Sequence, residues 1–75
     1  MKAARHLRKR SFQLAGHRTS AALEPEFWAV LEAAAQRRGL SLAALVTEID
    51  TARGDAAQPL ASALRLHALA EAAQR

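Results

Sequence analysis

Seventy-five residues hold one domain at most, and a chain of this size buries only roughly 60–65% of the surface that it exposes when unfolded. It contains no cysteine, which excludes disulfide staples and thiolate metal sites and leaves self-association as the common remaining stabiliser. The net charge of +4 is unevenly placed: residues 1–18 carry six basic side chains and no acid, while the rest carries five basic and seven acidic ones. Such a basic N-terminal region suits contact with a polyanion, the alternative being a solvated tail that aids solubility.

Residues 1–10 read as a flexible basic arm, with too few apolar side chains to pack, and residues 11–75 as the folded domain. Ser11-Phe12-Gln13-Leu14 alternates with period two and is broken at Gly16. Arg18 to Leu23 alternates again, with Thr19, Ala21 and Leu23 on one face and Arg18, Ser20 and Ala22 on the other. The face ending in Leu23 is the core side, so the Arg18 face looks outward. A single strand cannot satisfy its own backbone groups, and in a chain this small the same strand of a second copy is the expected partner.

A first helix begins near Pro25, whose fixed φ suits the first helical position, with Glu24 and Glu26 favourable to the helix dipole. Phe27, Leu31 and Ala34 form its apolar spacing. Of the adjacent aromatics, Phe27 is the expected core residue, and Trp28 the one that covers a dimer interface or the third helix. Arg37 and Arg38 close the helix before Gly39. Ser41 caps a second helix from Leu42 to Arg53, in which Leu42, Leu45, Val46 and Ile49 recur at helical spacing. Its first turn has no acid, so the partial positive charge at its start is left uncompensated. After a loop over 54–58, Pro59 opens a third helix whose stripe is Leu66, Leu69, Ala70 and Ala73.

A strand followed closely by two helices, with Gly39-Leu40-Ser41 between them, resembles the ribbon-helix-helix family of bacterial DNA-binding proteins over about residues 17–54. Gly16-His17-Arg18-Thr19-Ser20, Leu23-Glu24-Pro25-Glu26-Phe27-Trp28 and Ser62-Ala63-Leu64-Arg65 look like a compact bacterial subgroup with an added C-terminal helix. The resemblance implies a mainly α fold, built as an intertwined two-fold dimer around an intermolecular two-stranded antiparallel β-ribbon, with an extra third helix. It implies a small transcriptional regulator that reads a palindromic site in double-stranded DNA with that ribbon. Mapped here, base readout falls to Arg18, Ser20 and Ala22. Phosphate contact falls to the backbone around Gly39, Leu40, Ser41 and Leu42, with Ser41 as the side-chain contributor, joined by Arg8, Lys9, Arg10 and His17.

Two departures bear on that mapping. Ala22 offers only an apolar contact to a thymine methyl, and Leu42 and Ala43 leave phosphate gripping to backbone N–H groups. If Phe12 and Leu14 belong to a strand folding back on Thr19–Leu23, they occupy or shield the ribbon. A surface pair with Glu24 is the alternative role for Arg18, and Asp50 is a structural partner for Arg53 or Arg65 in a dimer. His6, His17 and His67 are too widely separated for metal-ligand spacing, and no nucleophile elbow or glycine-rich phosphate loop occurs, so no enzyme, metal or cofactor is expected.

No run is apolar enough to cross a membrane and no secretory h-region is present. Residues 1–20 share the composition of a transit peptide, yet removing them would remove most of the ribbon. With cysteine absent and alanine and arginine abundant, a cytoplasmic bacterial protein is expected. The competing function is a protein-interaction, antitoxin-like module docking through the third helix, or a ribbon-helix-helix scaffold without specific DNA readout. Higher oligomers than a dimer stay open.

Overall fold

The computed structural model describes residues 6–54 and 58–74. Two strands and three helices follow in order: β1 (Arg8–Leu14), β2 (His17–Leu23), α1 (Pro25–Arg37), α2 (Leu42–Arg53) and α3 (Leu60–Ala73). Of the expected basic arm, residues 1–5 lie outside the described residues, whereas Arg8, Lys9 and Arg10 belong to β1.

β1 and β2 form an antiparallel hairpin in register from Arg8 opposite Leu23 to Leu14 opposite His17. The turn is two residues long, and both Ala15 (φ 48°) and Gly16 (φ 82°) are left-handed, the backbone of the tight turn whose twist matches the flanking strands. The expectation that β2 reaches for a second copy rested on its lacking a partner within its own chain. β1 supplies that partner, and the Phe12–Leu14 segment folds back on β2 as the alternative reading had it.

The inner face of the hairpin delivers Phe12, Leu14, Thr19, Ala21 and Leu23 to the helices, with Leu14, Ala21 and Leu23 buried. Under them lies Trp28, 2% exposed. Its ring centroid is 6.0 Å from that of Phe12, the Arg10 guanidinium sits 5.1 Å above it, and its indole Nε1 donates to the carbonyl of Arg8 at 2.8 Å. Trp28 is therefore the aromatic of the core and Phe27 only half-buried, the reverse of the expected assignment. Neighbouring residues point about 100° apart on a helix, and the hairpin lies on the Trp28 side. That same bond to Arg8 anchors the strand three residues earlier than the alternation at Ser11 indicates.

α1 buries Trp28, Leu31, Ala34 and Ala35, and α2 buries Leu45, Val46 and Ile49. α1 ends at Gly39 (φ 70°), where the Leu40 N–H reaches the Ala35 carbonyl and the Gly39 N–H that of Gln36. This pair of bonds is a Schellman cap, and it depends on the glycine's left-handed backbone. Ser41 caps α2 as expected, its Oγ accepting from the Ala44 N–H at 3.0 Å. Across the turn Arg38 grips Glu48 with two bonds of 2.7 and 2.9 Å. The hydrogen bond and charge of Arg38 hold the Glu48 carboxyl below its ordinary range, so the pair persists at neutral pH and is lost only as acid protonates Glu48.

α3 turns a different side inward from the one expected. Leu64 and Ala68 are buried, whereas Leu66 and Leu69 are each 56% exposed and Ala70 and Ala73 are exposed too. The helix is apolar round most of its circumference, so two stripes share the helical period. Ion pairs flank the buried stripe: Arg65 reaches Glu24 at 3.0 Å and Glu71 meets Arg37 at 2.9 Å. Leu64→Ala is expected to cost about 2–5 kcal/mol in urea unfolding, and Leu66→Ala no more than about 0.5 kcal/mol.

Candidate nucleic-acid interface

Because side chains alternate along a strand, the register sorts the hairpin's outer face without ambiguity. Lys9 stands opposite Ala22, Ser11 opposite Ser20, and Gln13 opposite Arg18. All of these are exposed except Ala22, which is half-buried. Arg18, Ser20 and Ala22 thus share the outward row that the alternation predicts, and a second row from β1, of which only Lys9 was assigned a role in the sequence, runs beside it. The extra row could have been found from Leu14-Ala15-Gly16-His17 read as a two-residue hairpin turn. An alanine where asparagine or glycine is usual hides that signal.

The cations divide by location. Arg37, Arg38, Arg53 and Arg65 on the helices pair with Glu71, Glu48, Asp50 and Glu24, and Arg10 on the inner face of β1 pairs with Glu32. Among the described residues no acid pairs with Arg8, Lys9 or Arg18, and all three are exposed on the hairpin. Glu24, the surface partner considered for Arg18, bonds Arg65 instead. Asp50 meets Arg53 within one chain at 2.6 Å, with no second copy involved. His17 is exposed beside the turn, on the inner row.

The turn between α1 and α2 offers less than Gly39 to Leu42 suggests. The Gly39 and Leu40 N–H groups are committed to the α1 cap, and the Ser41 hydroxyl oxygen accepts from Ala44. What remains at the helix start is the N–H groups of Ser41, Leu42 and Ala43, left over because an α-helix's first donors have no intrahelical partner. With no acid in that turn, they form a weakly positive, anion-compatible end.

Among the described residues no cluster of three or more His, Asp or Glu side chains could hold a metal. A hollow of about 440 Å³ lies between α2 and α3, lined in part by Ile49, Arg53, Leu66 and His67. Its polar groups are engaged only in part: the terminal nitrogens of Arg53 bond Asp50 and the Gln58 carbonyl, whereas Arg53 Nε and His67 Nε2 are buried without a hydrogen bond, the latter 3.2 Å from Glu71. Among the described residues no helix is long and apolar enough to cross a membrane.

A family model described as the ribbon-helix-helix domain matches residues 7–72. The chain belongs to the ribbon-helix-helix domain family. Its members are non-catalytic DNA-binding and regulatory modules, and this chain's hairpin and three helices are a ribbon-helix-helix unit with an additional helix. No curated protein and no solved structure matches the chain significantly. Ser41→Ala is expected to lower stability by about 0.5–2 kcal/mol through loss of the α2 cap, with Ser41→Gly costing only a few tenths, as read by thermal unfolding.

Proposed function

We propose that this ribbon-helix-helix protein is a small transcriptional regulator that places the outer face of its hairpin in the major groove of double-stranded DNA. The observation that carries the reading is the sorting of charge. Among the described residues acids neutralise the helix arginines and Arg10, while Lys9 and Arg18 on the hairpin's outer row, and Arg8 at the exposed end of its inner row, have no acid partner. Arg18 presents a guanidinium suited to bidentate bonding with guanine O6 and N7, Ser20 a hydroxyl for base or phosphate, and Ala22 a methyl-sized apolar contact. Arg8, Lys9 and the start of α2 act on phosphates, with His17 contributing when protonated. Arg10, held by Glu32 and Trp28, braces the ribbon. The working species in this reading is a cytoplasmic homodimer, whose two-fold axis sets a roughly palindromic site.

Binding to duplex DNA should weaken steeply with salt, with a log–log slope of about −0.9 for each phosphate neutralised. Lys9→Ala should flatten that slope by about one unit at every sequence, whereas Arg18→Ala should cost about 1–3 kcal/mol of discrimination at one base position. A salt-independent association, or none at low salt by fluorescence anisotropy, overturns the proposal.

A second reading is favoured by the exposure of Leu66 and Leu69, each 56%, on α3. This face suits a protein partner, as an antitoxin-like module would need, or the second copy itself. Replacing both leucines with serine and measuring sedimentation separates the two. Loss of the dimer assigns the face to self-association, and retention of the dimer leaves it for a different partner.

A further inference from the structure

Among the described residues two buried side-chain nitrogens have no hydrogen-bond partner, Arg53 Nε and His67 Nε2. Both residues line the same hollow between α2 and α3. We infer that this hollow is a binding site for a small monocarboxylate with a short apolar body, a ligand that the DNA-binding reading neither uses nor requires.

The two nitrogens are both donors, and donors call for an acceptor. Arg53 donates from its terminal nitrogens to the Asp50 carboxylate at 2.6 Å and the Gln58 carbonyl at 2.8 Å, bonds that fix the guanidinium in place. Its Nε–H belongs to a permanently charged group and is left over. His67 Nε2 lies 3.2 Å from a Glu71 carboxylate oxygen without the alignment of a hydrogen bond. A lone pair there would face a negative oxygen, so Nε2 carries the hydrogen and is the second donor. Buried donors without acceptors are unfavourable, and a carboxylate brings two oxygens that accept strongly from cationic groups. The acids nearby are held by other arginine nitrogens: Asp50 by a terminal nitrogen of Arg53, Glu48 by Arg38, and Glu71 by Arg37.

Ile49, Ala52, Ala63 and Leu66 supply the apolar part of the lining. Leu66 is 56% exposed, so an aliphatic body laid against it removes apolar surface from water. A hollow of about 440 Å³ with apolar walls and few polar groups has the size and character of a small-molecule site. Neither nitrogen is open to solvent, so entry requires a side chain to shift. His67 is placed for that shift, with a side chain 30% exposed and an Nε2 that no hydrogen bond holds. One wall of the site is α3, whose Arg65 bonds Glu24 at the base of the hairpin. An occupant would therefore brace the helix on which the ribbon rests.

The test is a titration of isocaproate into the full chain, followed by proton–nitrogen correlation NMR, with isocaproamide and acetate as comparison probes. Isocaproate should bind saturably and shift the backbone amides that surround the hollow, those of Arg53 and His67 among them, ahead of those of the hairpin. Isocaproamide matches its size without the charge, and acetate keeps the charge without the apolar body. Each should bind at least about 10-fold more weakly. Arg53→Lys keeps a cation for Asp50 and removes the Nε–H, while His67→Met keeps the bulk and removes the donor. Either change should weaken isocaproate about 10- to 150-fold, with circular dichroism checking that the helices persist. Should Arg53→Lys fail to fold, His67→Met decides alone. The inference is overturned if isocaproate shifts only hairpin amides, binds no better than its amide, or binds the folded variants as it binds wild type. Absence of saturation overturns it too, leaving the hollow to water.

Discussion

The contact between the hairpin and Trp28 is the constraint from which the remaining arrangement follows. Two strands joined by a tight turn are marginal in water by themselves and need an apolar support. Trp28 provides it over a wide area, meeting Phe12 with its ring, carrying the Arg10 guanidinium on its face and tying the Arg8 carbonyl with its indole N–H. A buried indole N–H without an acceptor would be costly, so the bond to Arg8 both satisfies Trp28 and sets where β1 begins. Once the inner row of the hairpin is seated, strand alternation obliges Lys9, Ser11, Gln13, Arg18 and Ser20 to face solvent.

The distribution of acids gives that outer row its character. Exposed ion pairs contribute little to stability individually. Here their consequence is electrostatic: Glu32, Glu48, Asp50 and Glu71, together with Glu24, lie against arginines of the chain's own framework. Among the described residues the positive charge left over is concentrated on the hairpin, where it attracts a polyanion over about a Debye length. Arg65 links this framework to the ribbon's base, bonding Glu24 and lying 5.9 Å from the Phe27 ring, and so holds α3 to the junction of β2 and α1.

Local chemistry made much of this legible. Pro25, Gly39 and Ser41 mark helix ends through effects that act within a few residues, and α1 and α2 begin and end where those signals stand. The outward row of Arg18, Ser20 and Ala22 follows from a period of two. The family relationship was legible from the same short stretches, and the match over residues 7–72 extends it across nearly the whole chain. The commitment of the Gly39 and Leu40 N–H groups was not legible, because the cap of α1 and the start of α2 share one short turn and the cap takes those two donors.

Sequence alone determined the three helices, the caps at Gly39 and Ser41 and the alternation of β2, because each depends on dihedral preference and periodicity over a few neighbouring residues. Tertiary structure decided which of two equivalent solutions was used. Phe27 and Trp28 are both aromatic and lie on adjacent helical positions, and the hairpin's placement, with the Arg8 carbonyl as acceptor for the indole N–H, selects Trp28 for the core. α3 has two apolar stripes of the same period, and only packing against the rest of the fold selects Leu64 and Ala68, with the pairs Arg65–Glu24 and Arg37–Glu71 at the flanks of that side. The partner of β2 was likewise a long-range matter, since an edge strand accepts any strand that reaches it. The two-residue turn at Ala15-Gly16 brings β1 there first.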